Sequence, residues 1–233
     1  RAPSHNWLIF ADNAGLAAGV IARLRAAGQT VTEVRAGDAF ARWSDDLFTL
    51  AHEQGRSGYD ALITAMAERH AMPDRIAHFW GITADETHRP GSNFFDRNQE
   101  YGFYSLLYLA QALGEQGIGD GAHLTVLTNG AAQVRDEPLP YPEKAMIAGP
   151  AGVVPRELPG LTVATLDLDL THVQGRRHAV ETDVLVGLTR RVLDDLFAEP
   201  GNRIAAWRGS RRFEMDFAAE SLPTVQGTDA FKH

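Results

Sequence analysis

Along the chain the apolar positions change their period several times, and each change marks an element. WLIFA, Trp7 to Ala11, is a continuous apolar run, the pattern of a strand buried on both faces. Leu16, Val20, Ile21 and Leu24 then recur at helical spacing and predict a helix that closes at Gly28. Alternation returns in TVTEVRAG as a second strand. The stretch Ala39–Ala71 reads as two helical pieces broken near EQGRSGYD, the second beginning at Tyr59. DRIAHFWGI is a third strand, THRPGSNFFDRNQ an irregular loop, and EYGFYSLLYLAQALGEQG a long helix apolar on nearly every side. Such a helix belongs in an interior or at an intimate interface.

AHLTVLTNGA and LTVATLDLDL are two further buried strands, separated by the Pro-rich segment VRDEPLPYPEKAMIAGPAGVVPRELPG. VETDVLVGLTRRVLDDLFAE is an amphipathic helix stopped by Pro200-Gly201. NRIAAWRGSRRFEMDF alternates on both sides of Gly209-Ser210, which signals a hairpin. The last residues, from Ala218 to His233, have no periodicity and read as a linker after one subdomain over residues 1–217. Strands alternating with helices predict an α/β fold: a mostly parallel sheet with helices on both faces and a C-terminal β-hairpin.

Composition narrows the function classes. With 233 residues, 44% of them hydrophobic, the chain has ample material for a packed core. A formal charge of -8, dispersed and without a basic run, offers phosphate backbones no electrostatic footprint, so nucleic acid is not expected as a partner. The absence of Cys excludes a disulfide framework, a thiolate zinc site and a cysteine nucleophile, and agrees with a cytoplasmic location. No apolar run approaches the roughly 20 residues that span a bilayer, and RAPSHNW lacks the features of a signal peptide. The expectation is a chain without a membrane partner, cut at Arg1 from something longer.

The opening strand, turn and helix are how dinucleotide-binding domains begin, but the turn ADNAGLAAG has only Gly15 and Gly19 where G-x-G-x-x-G is needed. Asp12 stands where phosphates would arrive, and it or Asn13 is expected to cap the following helix. Short-chain reductases place Tyr and Lys four residues apart on one helical face, where the ammonium lowers the phenol's pKa. Tyr141 and Lys144 are one residue short of that spacing, and Pro142 pushes Tyr141 out of the helical region, so a turn Tyr and a solvated Lys are expected. His70, His78 and His88 lack metal-site spacing. Asp167 and Asp169 lie on one side of a strand, where they could bind a cation or act as paired carboxylates, and read first as strand-end acids that cap or meet solvent; Ser92 lacks a nucleophile elbow; Arg208, Arg211 and Arg212 could hold an anion or an acidic partner and read first as a solvated hairpin tip. No catalytic, cofactor-binding or metal-binding residue is assigned.

Several segments are harder to explain as generic architecture. LTVLTNGAAQV, PEKAMIAGPAGVVPRELPGLTVATLDLD, the helix after it and IAAWRGSRRFEMDF resemble, in order, the N-terminal half of the ketoreductase region of bacterial polyketide synthases, from about Trp7 to Phe217. FFDRNQEYGFYSLLYLAQAL is similar to the family's helix after the third strand. The resemblance implies a truncated Rossmann-like structural subdomain that binds no cofactor, paired with a catalytic subdomain that holds NADPH and the Ser/Tyr/Lys machinery. Its partners would be that catalytic half and neighbouring synthase domains. Contact with them is expected through the apolar helix, at Tyr104 and Leu107, and through the hairpin, at Trp207, Phe213 and Phe217. Two other readings stay open: a divergent short-chain reductase that binds NADPH itself, and a structural spacer in a non-reducing module.

Overall fold

The computed structural model describes residues 4–83, 93–118, 121–170 and 180–221. His88, Ser92 and the linker from Leu222 onward lie outside the described residues. The strands are β1 (Asn6–Ala11), β2 (Thr30–Ala36), β3 (Ala41–Arg42), β4 (Leu47–Leu50), β5 (Arg75–Gly81), β6 (Ala122–Asn129), β7 (Leu161–Leu168), β8 (Arg203–Arg208) and β9 (Arg211–Glu214). They form one sheet in the order β3-β4-β2-β1-β5-β6-β7-β8-β9. The pairings from β4 through β8 are parallel, while β3 and β9 run antiparallel at the two rims. Strand order reverses between β1 and β5, the place where doubly wound sheets open a crevice at the C-terminal strand ends.

The helices are α1 (Leu16–Ala26), α2 (Ser57–Glu68), α3 (Phe94–Asn98), α4 (Ser105–Gln116), α5 (Ala148–Glu157) and α6 (Val180–Leu196). A π-helical turn, Gln99–Tyr104, joins α3 to α4, and 3₁₀ turns occupy His52–Gln54 and Pro142–Ile147. Two apolar layers sandwich the sheet. Trp7, Ile9, Phe79 and Leu166 meet Leu16, Val20, Leu24 and Val192 of α1 and α6 on one face. Leu8, Phe10, Val126 and Val163 meet Leu62, Leu109 and Val154 of α2, α4 and α5 on the other. Successive residues of β1 thus enter opposite cores, which is why its sequence is apolar without interruption.

Two expectations are corrected here. The first half of Ala39–Ala71 is not helical: β3, β4 and a 3₁₀ turn fill it, and only α2 matches the second piece. Phe48 and Leu50 alternate inward from β4, where parallel pairing to β2 and the room beneath them outweigh local helical spacing. Phe94 to Gln99, expected as irregular loop, is helical and runs into α4. The hairpin forms as expected, with Trp207 opposite Arg212 and Arg208 opposite Arg211 around Gly209.

Candidate functional site

The crevice between β1 and β5 is where a nucleotide would lie in a fold of this kind, so its chemistry decides what the chain can do. Gly15, at φ 95°, turns the chain into α1, a backbone conformation that favours glycine. The first amides of α1 are turned on a protein carboxylate: Asp12 Oδ1 accepts from Ala17 N at 2.7 Å and Oδ2 from Leu16 N at 3.1 Å. The expected capping role of Asp12 is thereby met. Burial raises the Asp12 carboxyl above its usual range, against the pull of the same backbone N–H groups. Those amides are the donors that would otherwise receive a pyrophosphate.

The rest of the crevice is filled with rings. Trp80, 4% exposed, stands edge-on to Phe10 at 5.1 Å and to Tyr101 at 5.4 Å. His78 lies beneath them, fully buried, its Nε2 2.7 Å from Ser105 Oγ, and burial pushes its pKa down to about 3. A cavity of about 210 Å³ is left, lined among others by Asp12, Asn13, Trp80, Asn98 and Tyr101. That is below the roughly 300–1,000 Å³ usual for small-molecule sites.

Tyr141 and Lys144 do meet, across a 3₁₀ turn and not along one face of a helix. Tyr141, at φ -134°, is outside the helical region as Pro142 requires, and the following 3₁₀ turn carries Lys144 inward. Lys144 is 2% exposed, which corrects the expectation of a solvated side chain. Its Nζ donates to Thr83 Oγ1 and Asn129 Oδ1, both at 2.7 Å, and to Asn129 O at 3.3 Å. The ammonium sits 4.5 Å over the Tyr141 ring face. Its three protons are bound to a strand end and a loop, so it works as a clamp. Gly130, at φ 69°, allows the close pass beneath: a Cβ there would come within 2.6 Å of Pro140.

Asp167 and Arg208 are also not the solvated groups their sequence context suggested. Asp167 is buried and accepts from Thr128 Oγ1 at 2.8 Å, Ala131 N at 2.9 Å and Arg208 Nη2 at 2.8 Å. Burial raises its carboxyl above the usual range despite these bonds. Arg208 reaches on to Glu137 Oε1 at 2.7 Å and Ala132 O at 2.8 Å. The cluster ties the hairpin to β7 and to the loop after β6. Asp167 and Arg208 are 41 residues apart, so no local motif announces the pair.

Of the expected contact residues, Trp207 and Phe213 lie on opposite faces of the hairpin. Trp207 is covered by α6: its indole N–H donates to Asp195 Oδ2 at 2.5 Å and the Arg191 guanidinium lies 5.7 Å above the ring. Phe213 faces away from α6, under the Arg135 guanidinium at 5.1 Å. Phe217 is 86% exposed and, with Ile204, lines a cavity of about 460 Å³ beside α5. Tyr104, stacked on Tyr108 at 5.9 Å, and Leu107 are half-buried on the outer side of the π turn and α4.

His70 and His78 stay apart, on the end of α2 and in the core. Two histidines that the sequence spacing did not single out do meet carboxylates: His5 Nδ1 lies 2.5 Å from Asp74 Oδ2, and His52 faces two glutamates. His52 Nε2 is 3.1 Å from Glu53 Oε2 and 3.5 Å from Glu100 Oε2. Its ring stacks on Tyr101 at 3.8 Å, and burial lowers its pKa although both glutamates raise it. Among the described residues no helix is long and apolar enough to cross a membrane.

Fold and site together define a Rossmann-like α/β domain in which Asp12, after β1, accepts from the first amides of α1. Residues 5–181 match the family described as Beta-ketoacyl synthase-like, N-terminal, and the chain belongs to that family. No curated protein matches the chain. Among solved structures it is similar to the adenylation, ketoreductase and pseudo Asub multidomain structure of a keto acid-selecting NRPS module. There the TM-score is 0.72 at 22% identity, over 91% of this chain and 16% of that one. An N-terminal ketoreductase from the macrolactin assembly line follows at TM-score 0.65 and 15% identity, over 93% of this chain and 41% of that one. A short-chain dehydrogenase/reductase from Serratia marcescens matches at TM-score 0.58 and 12% identity, over 86% of this chain and 94% of that one. At these identities the likeness is one of fold. The chain spans well under half the length of the two assembly-line proteins.

Proposed function

We propose that this chain is a non-catalytic scaffold subdomain of a polyketide synthase ketoreductase. It stabilises a partner subdomain that binds NADPH and reduces a β-ketoacyl substrate, and it holds neighbouring domains of the module. The observation that carries the reading is the seat of Asp12, whose carboxylate takes the first two amides of α1. A dinucleotide would have to bring its phosphates against that charge without the glycines that let backbone and pyrophosphate approach. Trp80 and Tyr101 narrow the space beside it to a cavity of about 210 Å³. The Lys144 ammonium supports the same reading, because its hydrogen bonds to Thr83 and Asn129 fasten it between a strand end and a loop, and it meets Tyr141 over the ring face from a 3₁₀ turn, not from one face of a helix.

The test is a calorimetric titration of the chain with NADPH beside the same titration of the chain joined to its catalytic half. The expected result is no micromolar binding by the chain alone and binding by the joined protein. Micromolar affinity in the isolated chain would favour a divergent reductase.

A further inference from the structure

His52, Glu53 and Glu100 come together from two elements 47 residues apart in sequence or more: the 3₁₀ turn after β4 brings the first two, the π turn before α4 the third. Their nearest ligand atoms all lie within 4.8 Å of one another, with Nε2 3.1 Å and 3.5 Å from the two carboxylate oxygens. A tetrahedral Zn²⁺ with bonds of about 2.0–2.1 Å holds its ligand atoms roughly 3.3–3.4 Å apart, so the two spacings bracket the edge of such a site.

Hydrogen bonding alone accounts poorly for the arrangement. A ring nitrogen carries one proton, which can satisfy one carboxylate, yet two oxygens face Nε2. Nδ1, buried and without a hydrogen-bond partner among the described residues, would carry the ring proton with an ion on Nε2 and does not orient the ring. The ring is held in place by other means: it is 14% exposed, stacked on Tyr101 and edge-on to Trp80 at 6.4 Å. Glu53 and Glu100 are 51% and 37% exposed, so an ion has an open approach from solvent and room for a water in the fourth position.

We propose that His52, Glu53 and Glu100 bind a divalent transition-metal ion, Zn²⁺ by preference, as a structural staple. One imidazole nitrogen and two carboxylate oxygens suit Zn²⁺ better than Mg²⁺ or Ca²⁺, which take oxygen ligands alone. The ion would join the turn after β4 to the π turn and so fix Tyr101 against Trp80 at the mouth of the crevice. The site is independent of the scaffold reading, since it lies on this chain's own residues and needs neither NADPH nor the partner half.

Zn²⁺ titration of the whole chain by calorimetry, with Co²⁺ absorption to report ligand geometry, tests it. The expected result is one site in the unaltered chain, a tetrahedral Co²⁺ spectrum, and a melting temperature that rises with Zn²⁺. Glu100→Gln, on a partly exposed position that leaves folding intact, should weaken that site by at least the 10–100-fold that losing even an outer-shell partner costs, and His52→Ala should remove it. Equal Zn²⁺ affinity in the unaltered chain and Glu100→Gln, or no binding at all, would overturn the proposal.

Discussion

Asp12 holds the start of α1 through two hydrogen bonds, and on the scaffold reading the same two bonds oppose a phosphate. Replacing it by Ala removes the acceptor for Leu16 N and Ala17 N and should cost about 1 kcal/mol, read as a lower urea midpoint with an unchanged slope. On the scaffold reading, affinity for NADPH should not appear in that variant, because the cavity beside Trp80 and Tyr101 stays at about 210 Å³. The buried histidines set an acid limit. His78 and His123, held at about 3 and about 4 by burial, titrate near 6.5 once the chain unfolds. The unfolded chain therefore binds more protons between those values, so stability is complete above about pH 6.5 and falls as pH drops toward 4. Each histidine contributes a slope approaching 1.4 kcal/mol per pH unit, about one pKa unit's worth of free energy. The raised carboxyls of Asp12 and Asp167 oppose this only at the acid end, where the folded chain takes up their protons first. Urea unfolding from pH 7 to 4 should show the loss, and His78→Gln should flatten it; an equal slope in both would assign the acid sensitivity elsewhere.

Single elements were legible where one periodicity stood alone. β1, α1, β6, β7 and the hairpin follow directly from continuous, helical or alternating runs, and the Gly209 turn from its dipeptide. FARWSDDLFTL is too short and too mixed to choose between periods, and only the slot beside β2 made it strand. Lys144, Asp167 and Arg208 looked solvated because their side-chain hydrogen bonds reach partners 15 to 76 residues away. The same distance hid His52 and Glu100. That cluster now predicts how the hairpin is held. Breaking a buried pair leaves a charge without its partner, so Asp167→Ala and Arg208→Ala should each cost about 3 kcal/mol or more. The double variant should cost clearly less than the sum, which a double-mutant cycle by chemical unfolding measures; additive effects would mean that the two groups act separately.

For the whole molecule, the apolar surfaces divide into those the chain covers itself and those it leaves open. Trp207 lies beneath α6, so Trp207→Ala should lower the chain's own melting temperature, by a cost on the order of 3 kcal/mol for a large aromatic removed from a packed contact. Phe213 and Phe217 lie away from α6, and Tyr104 and Leu107 on the outer side of the apolar helix. Leu107→Asp or Phe213→Ala should therefore leave the chain's melting nearly unchanged and weaken its association with a catalytic half, measured by sedimentation alongside reductase activity. Undiminished association would move the contact to another surface.

Trp80 and Tyr101 also make the closure of the crevice hard to reverse. Glycine at position 12 would free the amides of α1 and find the space still occupied. A smaller residue at 80 would open the space onto a carboxylate and undercut the rings of Phe10 and His78. Either step alone weakens the fold and gains no affinity. On the scaffold reading, a route to a nucleotide-binding turn would therefore pass through single substitutions that each loosen the packing around β1 before any phosphate contact could form.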